Sequence, residues 1–313
     1  MGRYLIRRLI QAIPVLFGAT FLIYGLTLGL GDPVQALAGE KKADPLVAAM
    51  LREKYHLDDP FLLQYWNYIT NVFQGNFGET LNGRQVLDLI TEAFPYTINL
   101  AIVAFVIEAL FGILAGIMAA LRRGKFLDQL VLLSTLFLIS IPVFVTGFML
   151  QLVLGVELKN NFGIDFFPVS FNEADGFRAY ILPGFILAST SLAYVTRLTR
   201  TSLMETMRSD YVRTATAKGL PRRKVVVNHA LRNALIPIVT FLGADLGALM
   251  GGAVITENIF NINGIGGLIA QAIRLDQGTV LVGVVTLLVL VYLVANLIVD
   301  LLYAVLDPRI RYA

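Results

Sequence analysis

The sequence predicts an all-α integral membrane protein with six transmembrane helices, and three observations support this fold class. Of its 313 residues, 57% are hydrophobic and only 15% are charged, whereas soluble proteins carry about 25% charged residues. The apolar residues form continuous runs of about 20, the length that crosses a bilayer. Strongly basic loops also alternate with neutral or acidic ones. These features exclude a soluble enzyme, a disordered protein and a nucleic-acid binder.

Six continuous apolar runs are the candidate spans. They are Ile10–Leu30, Ile98–Ala120, Leu130–Leu154, Tyr180–Leu198, Leu235–Ile255 and Thr279–Leu302. The third run is long enough to tilt or kink in the bilayer. Because proline removes a helical hydrogen bond, Pro142 is the expected position of a kink.

The first run also has features of a secretory signal peptide. Arg3, Arg7 and Arg8 precede it, and residues 36–38, with the sequence ALA, resemble a cleavage site. The apolar run is 21 residues long, however, and the apolar part of a signal peptide usually has about 7–15. The sequence therefore predicts a helix that is retained.

The distribution of Lys and Arg predicts the orientation, because short cytoplasmic loops are enriched in these residues. Basic residues concentrate at the N-terminus, in residues 122–125, in residues 197–232 and in the C-terminal tail. Residues 32–95, by contrast, contain nine acidic and five basic residues. Six helices place all of the basic segments in the cytoplasm, together with both termini.

The long outer segment, residues 32–95, shows helical periodicity. Leu46, Met50 and Tyr55 recur at helical spacing, and a second amphipathic pattern follows Pro60, a residue that favours the first turn of a helix. The aromatic residues of the second helix fit either the lipid interface or packing against the protein's own helices. Residues 75–78, GNFG, predict a tight turn, and the isolated His56 is interpreted as a surface or capping residue.

The cytoplasmic loop of residues 199–233 is the main candidate functional segment. A Gly219-Leu220-Pro221 break divides it into two short predicted helices, Tyr211–Lys218 and Arg222–Leu231, the first capped by Ser209 or Asp210. Such an element offers a convex surface to a partner protein. A basic loop that contacts only anionic lipid is the alternative, but small residues such as Ala215 and Ala217 favour close protein contact.

Two acidic residues, Glu108 and Asp245, fall near the centres of predicted spans. An acid at a helix centre costs roughly 2.5–3.5 kcal/mol on insertion scales, and no basic residue lies near the centre of any predicted span. Each acid therefore faces a water-filled path, a second subunit, the other acid with a shared proton, or a neighbouring helix to which it is hydrogen-bonded in protonated form. Glycines around Asp245 predict that its helix lies at a packed interface.

The sequence lacks the residues that several classes of enzyme require. The chain has no cysteine and only two histidines, so no disulfide, thiolate metal site or multi-histidine site is expected. Nucleotide-binding and zinc-protease motifs are missing from the sequence. The string GLGD at 29–32 matches that of intramembrane aspartyl proteases, but it lies at the outer end of the first helix and is followed by Pro33. We therefore do not favour the intramembrane protease interpretation.

The cytoplasmic loop resembles the "EAA" loop of ABC importer permeases of the dipeptide, oligopeptide and nickel family. The matching segments are DYVRTATAKGLP at 210–221 and HALRNALIP at 229–237. The resemblance continues over nearly the whole chain, through GDP at 31–33, LDDP at 57–60, ENIF at 257–260 and the C-terminal end from Asp300. Arg213 occupies the position of the acid that names the loop, as is usual in this subfamily.

The resemblance implies a type I ABC importer permease in a prokaryotic cytoplasmic membrane. Implied partners are a second homologous permease, two cytoplasmic ATPase subunits or domains that bind ATP and Mg, and an extracytoplasmic peptide-binding protein. No cofactor and no catalytic residue is expected in this chain, because the resemblance implies that the partner subunits hydrolyse ATP. Residues implied in contact with the ATPase are Tyr211, Ala215, Ala217, Lys218, Gly219, Leu220 and Pro221.

The expected function is passage of di- or oligopeptides, with nickel or glutathione import as alternatives within the same family. A secondary transporter or channel that works alone is a second hypothesis. The expected division is a first helix with its outer segment, residues 1–95, and a five-helix permease core, residues 96–313. The lipid bilayer is the remaining partner, and no nucleic acid is expected.

Overall fold

The structure is a computed structural model that describes residues 2–30, 45–54, 58–80 and 83–306. His56, the acid of the GLGD string and the basic C-terminal tail lie outside the described residues. The described part of the chain contains no β-strand, and its only pairing of this type is an isolated bridge between Glu79 and Gln85. The predicted all-α fold class is confirmed.

The helices are numbered in chain order, and three of them continue through π-helical turns. They are α1 Gly2–Leu30, α2 Pro45–Lys54, α3 Phe61–Phe73, α4 Val86–Ile107 with the turn Glu108–Gly112, α5 Ile113–Leu121, α6 Phe126–Ser140, α7 Val143–Leu150 with the turn Gln151–Glu157, α8 Leu158–Phe162, α9 Arg178–Thr206, α10 Asp210–Ala217, α11 Arg222–Lys224 with the turn Val225–Leu231, α12 Arg232–Ala234, α13 Ile236–Phe260, α14 Ile265–Arg274 and α15 Gly278–Leu306.

Five helical stretches are long and apolar enough to cross a membrane. They are Ile6–Thr27, Val86–Leu121, Val143–Phe162, Arg178–Thr206 and Gly278–Ile298. A sixth is obtained when Arg222–Ala234 and Ile236–Gly251, which meet at a bend of 45°, are counted as one span. Each predicted span overlaps one of these six.

The third predicted span, Leu130–Leu154, is broken rather than kinked. Ile141 has φ −99° and ψ 129°, the extended conformation that a following proline favours. Pro142 then precedes the first residue of α7, with φ −55° and ψ 137°. The helix α6 therefore ends at Ser140, and only Val143–Phe162 qualifies as a span. Proline was correctly identified as the cause, but its effect is larger than predicted.

One compact unit comprises residues 1–97 and 263–313. In it α1 packs against α15, and α15 packs against α14. The hydroxyl of Thr97 accepts a hydrogen bond of 2.8 Å from the backbone N–H of Ile265, at the start of α14. The predicted turn at 75–78 is present, with positive φ at both of its glycines. The functional division expected at residue 95 stays a prediction, since compactness and function need not coincide.

The second compact unit comprises residues 98–262 and carries the candidate site. Its centre is α9, the most buried of the spans, which contacts α5, α6, α7 and α13. Helices α5 and α9 approach each other so closely that only glycine fits at position 116 of α5. A β-carbon at Gly116 would lie 2.5 Å from Cβ of Thr199 and 2.6 Å from the carbonyl oxygen of Thr196.

Candidate functional site

The segment predicted to be cytoplasmic folds as two short helices joined at a glycine. The first, α10, begins after Ser209, as predicted, although the Ser209 hydroxyl donates to the carbonyl of Thr206 at 2.6 Å instead of capping the helix. Gly219 then adopts φ +77°, a conformation that residues with a β-carbon rarely occupy. Pro221 precedes α11, and its carbonyl accepts the N–H of Lys224 at 2.8 Å.

One face of the two helices is buried against the rest of the unit. Val212, Ala215 and Val225 pack with Leu203 of α9, and Leu220 lies against this cluster. Ala230 and Ala234 complete it from the segment that leads to α13, and residues of α5 cover its edge. We call α10, α11 and the Gly219 turn the coupling knob. Because it packs on several helix ends, it is held as part of the unit.

The structure divides the seven residues that the sequence predicted for partner contact. Ala215 is only 6% exposed and Leu220 is half-buried. Both pack against the chain's own cluster, so they shape the coupling knob from within. The exposed members are Tyr211, Ala217, Lys218, Gly219 and Pro221. The exposed face that a partner would meet is therefore narrower than the sequence pattern suggested.

Two polar contacts fasten the segments on either side of the coupling knob. The hydroxyl of Ser202, on α9, donates to the carbonyl of Ala234, in α12, at 2.8 Å. The amide of Asn233, also in α12, donates to the Tyr211 hydroxyl at 2.9 Å. Tyr211 thus joins the beginning of the coupling knob to the segment that enters α13.

An ion pair that the sequence analysis missed joins the start of α6 to α9. Arg200 donates from Nε to Oδ1 of Asp128 at 2.6 Å and from a terminal nitrogen to Oδ2 at 2.9 Å. The backbone N–H of Gly124 also donates to Asp128. The side chains are 18% and 4% exposed, respectively, and the hydrogen bond from Arg200 lowers the pKa of the Asp128 carboxyl. The feature of the sequence that could have indicated this ion pair is Asp128, an acidic residue in an otherwise basic loop.

Replacing Arg200 with alanine is expected to destabilise the protein by about 3 kcal/mol, because it leaves the Asp128 carboxylate buried without its cation. The measurement is the apparent melting temperature of the purified chain. Since the folded-state pKa of Asp128 is lowered, the stabilisation is complete at neutral pH and is lost as the pH falls below roughly 4.

A matched control for this prediction lies on the coupling knob. Arg213 and Asp210 form an exposed pair at 3.7 Å, and Arg213→Ala should leave the melting temperature unchanged, because exposed pairs contribute little. The double variant Asp128→Ala with Arg200→Ala should recover part of the loss, since no unpaired charge remains. Equal melting of Arg200→Ala and the unchanged protein would show that the buried pair is not stabilising.

The two predicted intramembrane acids are brought together. Glu108 begins the π-helical turn after α4 and is fully buried, and its carboxyl group interacts electrostatically with that of Asp245 on α13. Three carboxyl oxygens, both of Glu108 and Oδ2 of Asp245, have no hydrogen-bond partner among the described residues. The two acids are therefore neighbours, and their role, on a pathway or at a helix interface, stays a prediction.

An apolar cluster lies next to the two acids along the chain. Val195, Ile238 and Leu242 form this buried cluster, and Leu198 and Ala109, the residue after Glu108, pack against it. A cation that entered this region would meet two carboxyl groups beside apolar side chains.

Known proteins match the chain along its whole length. Residues 112–312 match the family described as "Binding-protein-dependent transport system inner membrane component", and residues 1–101 match the model of the corresponding N-terminal region. The chain is 39% identical, over 335 aligned positions, to the di/tripeptide transport system permease protein of Pseudomonas aeruginosa (strain UCBPP-PA14), with 100% of this chain and 99% of that protein covered. It is 38% identical to the glutathione transport system permease protein of Escherichia coli (strain K12), and both chains are fully covered.

Proposed function

The chain belongs to the family of binding-protein-dependent transport system inner membrane components, and we propose that it is the permease subunit of an ATP-driven importer of di- and oligopeptides. The observation that carries this proposal is the full-length similarity to a di/tripeptide permease and a glutathione permease. Glutathione is itself a tripeptide, so the two relatives agree on a small peptide substrate. Glutathione remains the second candidate.

The coupling knob is the proposed contact with the cytoplasmic ATPases. Its exposed Gly219 turn projects from a face whose other side is buried against three helix ends. ATP and Mg would be bound by these partner subunits, and the permease would supply no catalytic residue. Binding of ATP to the partners would favour one of two permease conformations, and a peptide-loaded binding protein would favour its own preferred conformation from the other side of the membrane.

A second permease is the proposed cover for one side of α13. Ile236, Val239 and Ile255 are exposed on this helix, and a β-carbon at Gly251 would meet no atom within 4 Å. The glycines near Asp245 were predicted to lie at a packed interface, and Gly251 has no such packing among the described residues. A homologous permease that packs here would cover the exposed apolar side of α13.

The test of the proposed function is reconstitution in lipid vesicles with the second permease, the ATPases and the binding protein. We expect ATP-dependent uptake of labelled di- and tripeptides that requires every component. Glutathione as the only accumulated peptide would favour the second candidate. Uptake by this chain alone, driven by an ion gradient and without ATP, would contradict the proposal and support a transporter that works alone.

The proposed topology has both termini in the cytoplasm. A reporter fused after Asp175, in the short turn that precedes α9, should be active only outside the cytoplasm, and one fused after Lys218, on the coupling knob, only inside. The physical reason is the concentration of Lys and Arg in the proposed cytoplasmic loops. Paired reporters with opposite compartment requirements measure both positions. Reversal at either position would contradict the orientation.

A further inference from the structure

Helix α3, in the segment between the first two spans, has two different faces. Tyr65 and Ile69 are buried, with 9% and 3% of their surface exposed. Leu62, Trp66 and Phe73 are 60–69% exposed. The exposed residues are four and seven positions apart, so they share one side of the helix. The buried side packs within its own compact unit, and no contact with the described residues accounts for the apolar character of the exposed side.

The contacts of Tyr65 place α3 at membrane depth. Its hydroxyl donates to the carbonyl of Phe17 at 3.0 Å and lies 2.9 Å from the Thr20 hydroxyl. Phe17 precedes Thr27, the end of the first candidate span, by ten residues. At 1.5 Å per residue this is about 15 Å along the helix, or about half of a 30 Å hydrocarbon core. Tyr65 therefore contacts α1 well inside the span.

A second tyrosine gives a similar depth from a different helix. The Tyr68 hydroxyl donates to the Thr286 hydroxyl at 2.7 Å. Thr286 follows Gly278, the beginning of the last candidate span, by eight residues, which is about 12 Å. Aromatic contacts agree, since Phe21 of α1 meets both Phe61 and Tyr65 with ring centroids 5.2 Å apart. Measured along either span, α3 therefore lies deeper in the membrane than the end of that span.

The composition of α3 fits a hydrocarbon environment. The sequence from Phe61 to Gly78 contains no Asp, Glu, Lys or Arg, although Asp58 and Asp59 precede it and Glu79 follows it directly. A helix also satisfies its own backbone hydrogen bonds, which is required of any segment in contact with lipid tails. A helix at an aqueous surface has no reason to lack charge on its exposed side while presenting leucine, tryptophan and phenylalanine.

We infer that α3 lies within the half of the bilayer next to the Thr27 end of α1, with Leu62, Trp66 and Phe73 against phospholipid acyl chains. The sequence left open whether the aromatic residues of this helix meet lipid or protein. In this placement the buried side of α3 packs against protein and the exposed side contacts lipid. This placement is independent of which substrate the protein imports, so the proposed function can fail without affecting it.

The test uses Trp66, the only tryptophan of the chain. The purified full-length protein is reconstituted in phosphatidylcholine vesicles, and its tryptophan fluorescence is measured with ordinary lipids and with lipids brominated along the acyl chains. Because bromine quenches only on contact, we expect bromolipid to remove most of the emission and acrylamide in the water to remove little. The primary measurement needs no substitution.

Two reference positions calibrate the result in a Trp66→Phe background, which should itself be silent. Phe177→Trp, at a 69% exposed position directly before α9, serves as the water-accessible reference, and Phe111→Trp, at a 56% exposed position within the second span, as the lipid-facing one. Quenching of Trp66 by acrylamide, as at position 177, would overturn the inference. Resistance to both quenchers would also overturn it, because protein would then cover this face.

Discussion

Replacing Gly219 with valine is expected to abolish ATP-driven uptake while leaving the chain in the membrane. Gly219 has φ +77°, and a residue with a β-carbon in this region is strained by about 1–3 kcal/mol. Valine is especially unfavourable there because it is β-branched. The strain falls on the turn between α10 and α11, which sets the direction of both helices. Uptake in the reconstituted importer and the amount of protein in the membrane are measured together.

The structure separates two reasons for such a loss. A β-carbon at Gly219 would meet no atom of the described residues within 4 Å, so we attribute any steric clash there to a partner. Asparagine tolerates the left-handed conformation. Uptake by Gly219→Asn would therefore identify the turn conformation as the requirement, and its loss would identify a close-fitting partner surface. Exposed charges such as Arg222 should matter much less.

Gly163 provides a matched control for the Gly219 substitution. It ends α8 with φ +67°, is exposed and also has no atom within 4 Å of a β-carbon. Gly163→Val carries the same backbone strain at a site outside the coupling knob, so uptake should largely persist. Near-normal uptake by Gly219→Val, or equal loss for the two valine variants, would contradict a specific role of the Gly219 turn.

The second prediction concerns the acid pair, which we propose as part of the substrate pathway. Glu108→Gln and Asp245→Asn are expected to leave the importer assembled and to slow uptake, more strongly for peptides with a free N-terminus than for N-terminally blocked ones. The physical reason is that an ammonium group loses hydration in an apolar region, and a nearby carboxylate offsets part of that loss. Each amide keeps the shape of the side chain that it replaces but cannot ionise.

A structural role of the same acids predicts a different pattern. The amides would then support nearly normal transport, while Glu108→Ala and Asp245→Ala would impair assembly of the complex, measured by co-purification of its subunits. Equal uptake of free and blocked peptides by every variant would exclude the pathway role. Because the two carboxyl groups interact, the effects of the two amide substitutions should not be additive.

Much of the fold could be predicted from the apolar runs, because the cost of placing polar groups in lipid constrains the sequence strongly. The ends of the spans could not be predicted as well. The fourth span was expected to end at Leu198, but α9 continues to Thr206. Arg200 lies in this extension and pairs with Asp128. A hydropathy pattern predicts the end of a span at the first charged residues. It does not show that such a residue can be paired with an opposite charge in the folded protein.

The candidate site was only partly predictable for a related reason. The Gly219 turn follows from local residue chemistry, and it was identified correctly. The burial of Ala215 depends on Leu203 and Val225, which approach it only through the tertiary fold. Similarly, Glu108 and Asp245 are distant in sequence, and their proximity was one of several alternatives. Side chains that are defined by long-range contacts require the structure.

The π-helical turns affect where the chain can change in length. In the turn Glu108–Gly112 each hydrogen bond closes a wider loop than in an α-helix, so the turn holds one additional residue. Deleting a single residue such as Ala109 would convert the turn to regular α-helix and leave the helix before it and the helix after it in nearly the same relative orientation. A deletion within regular α-helix, by contrast, rotates the two parts by about 100° relative to each other. Single-residue deletions should therefore be tolerated better in this turn than elsewhere in the spans, and their cost should be confined to the turn that holds Glu108.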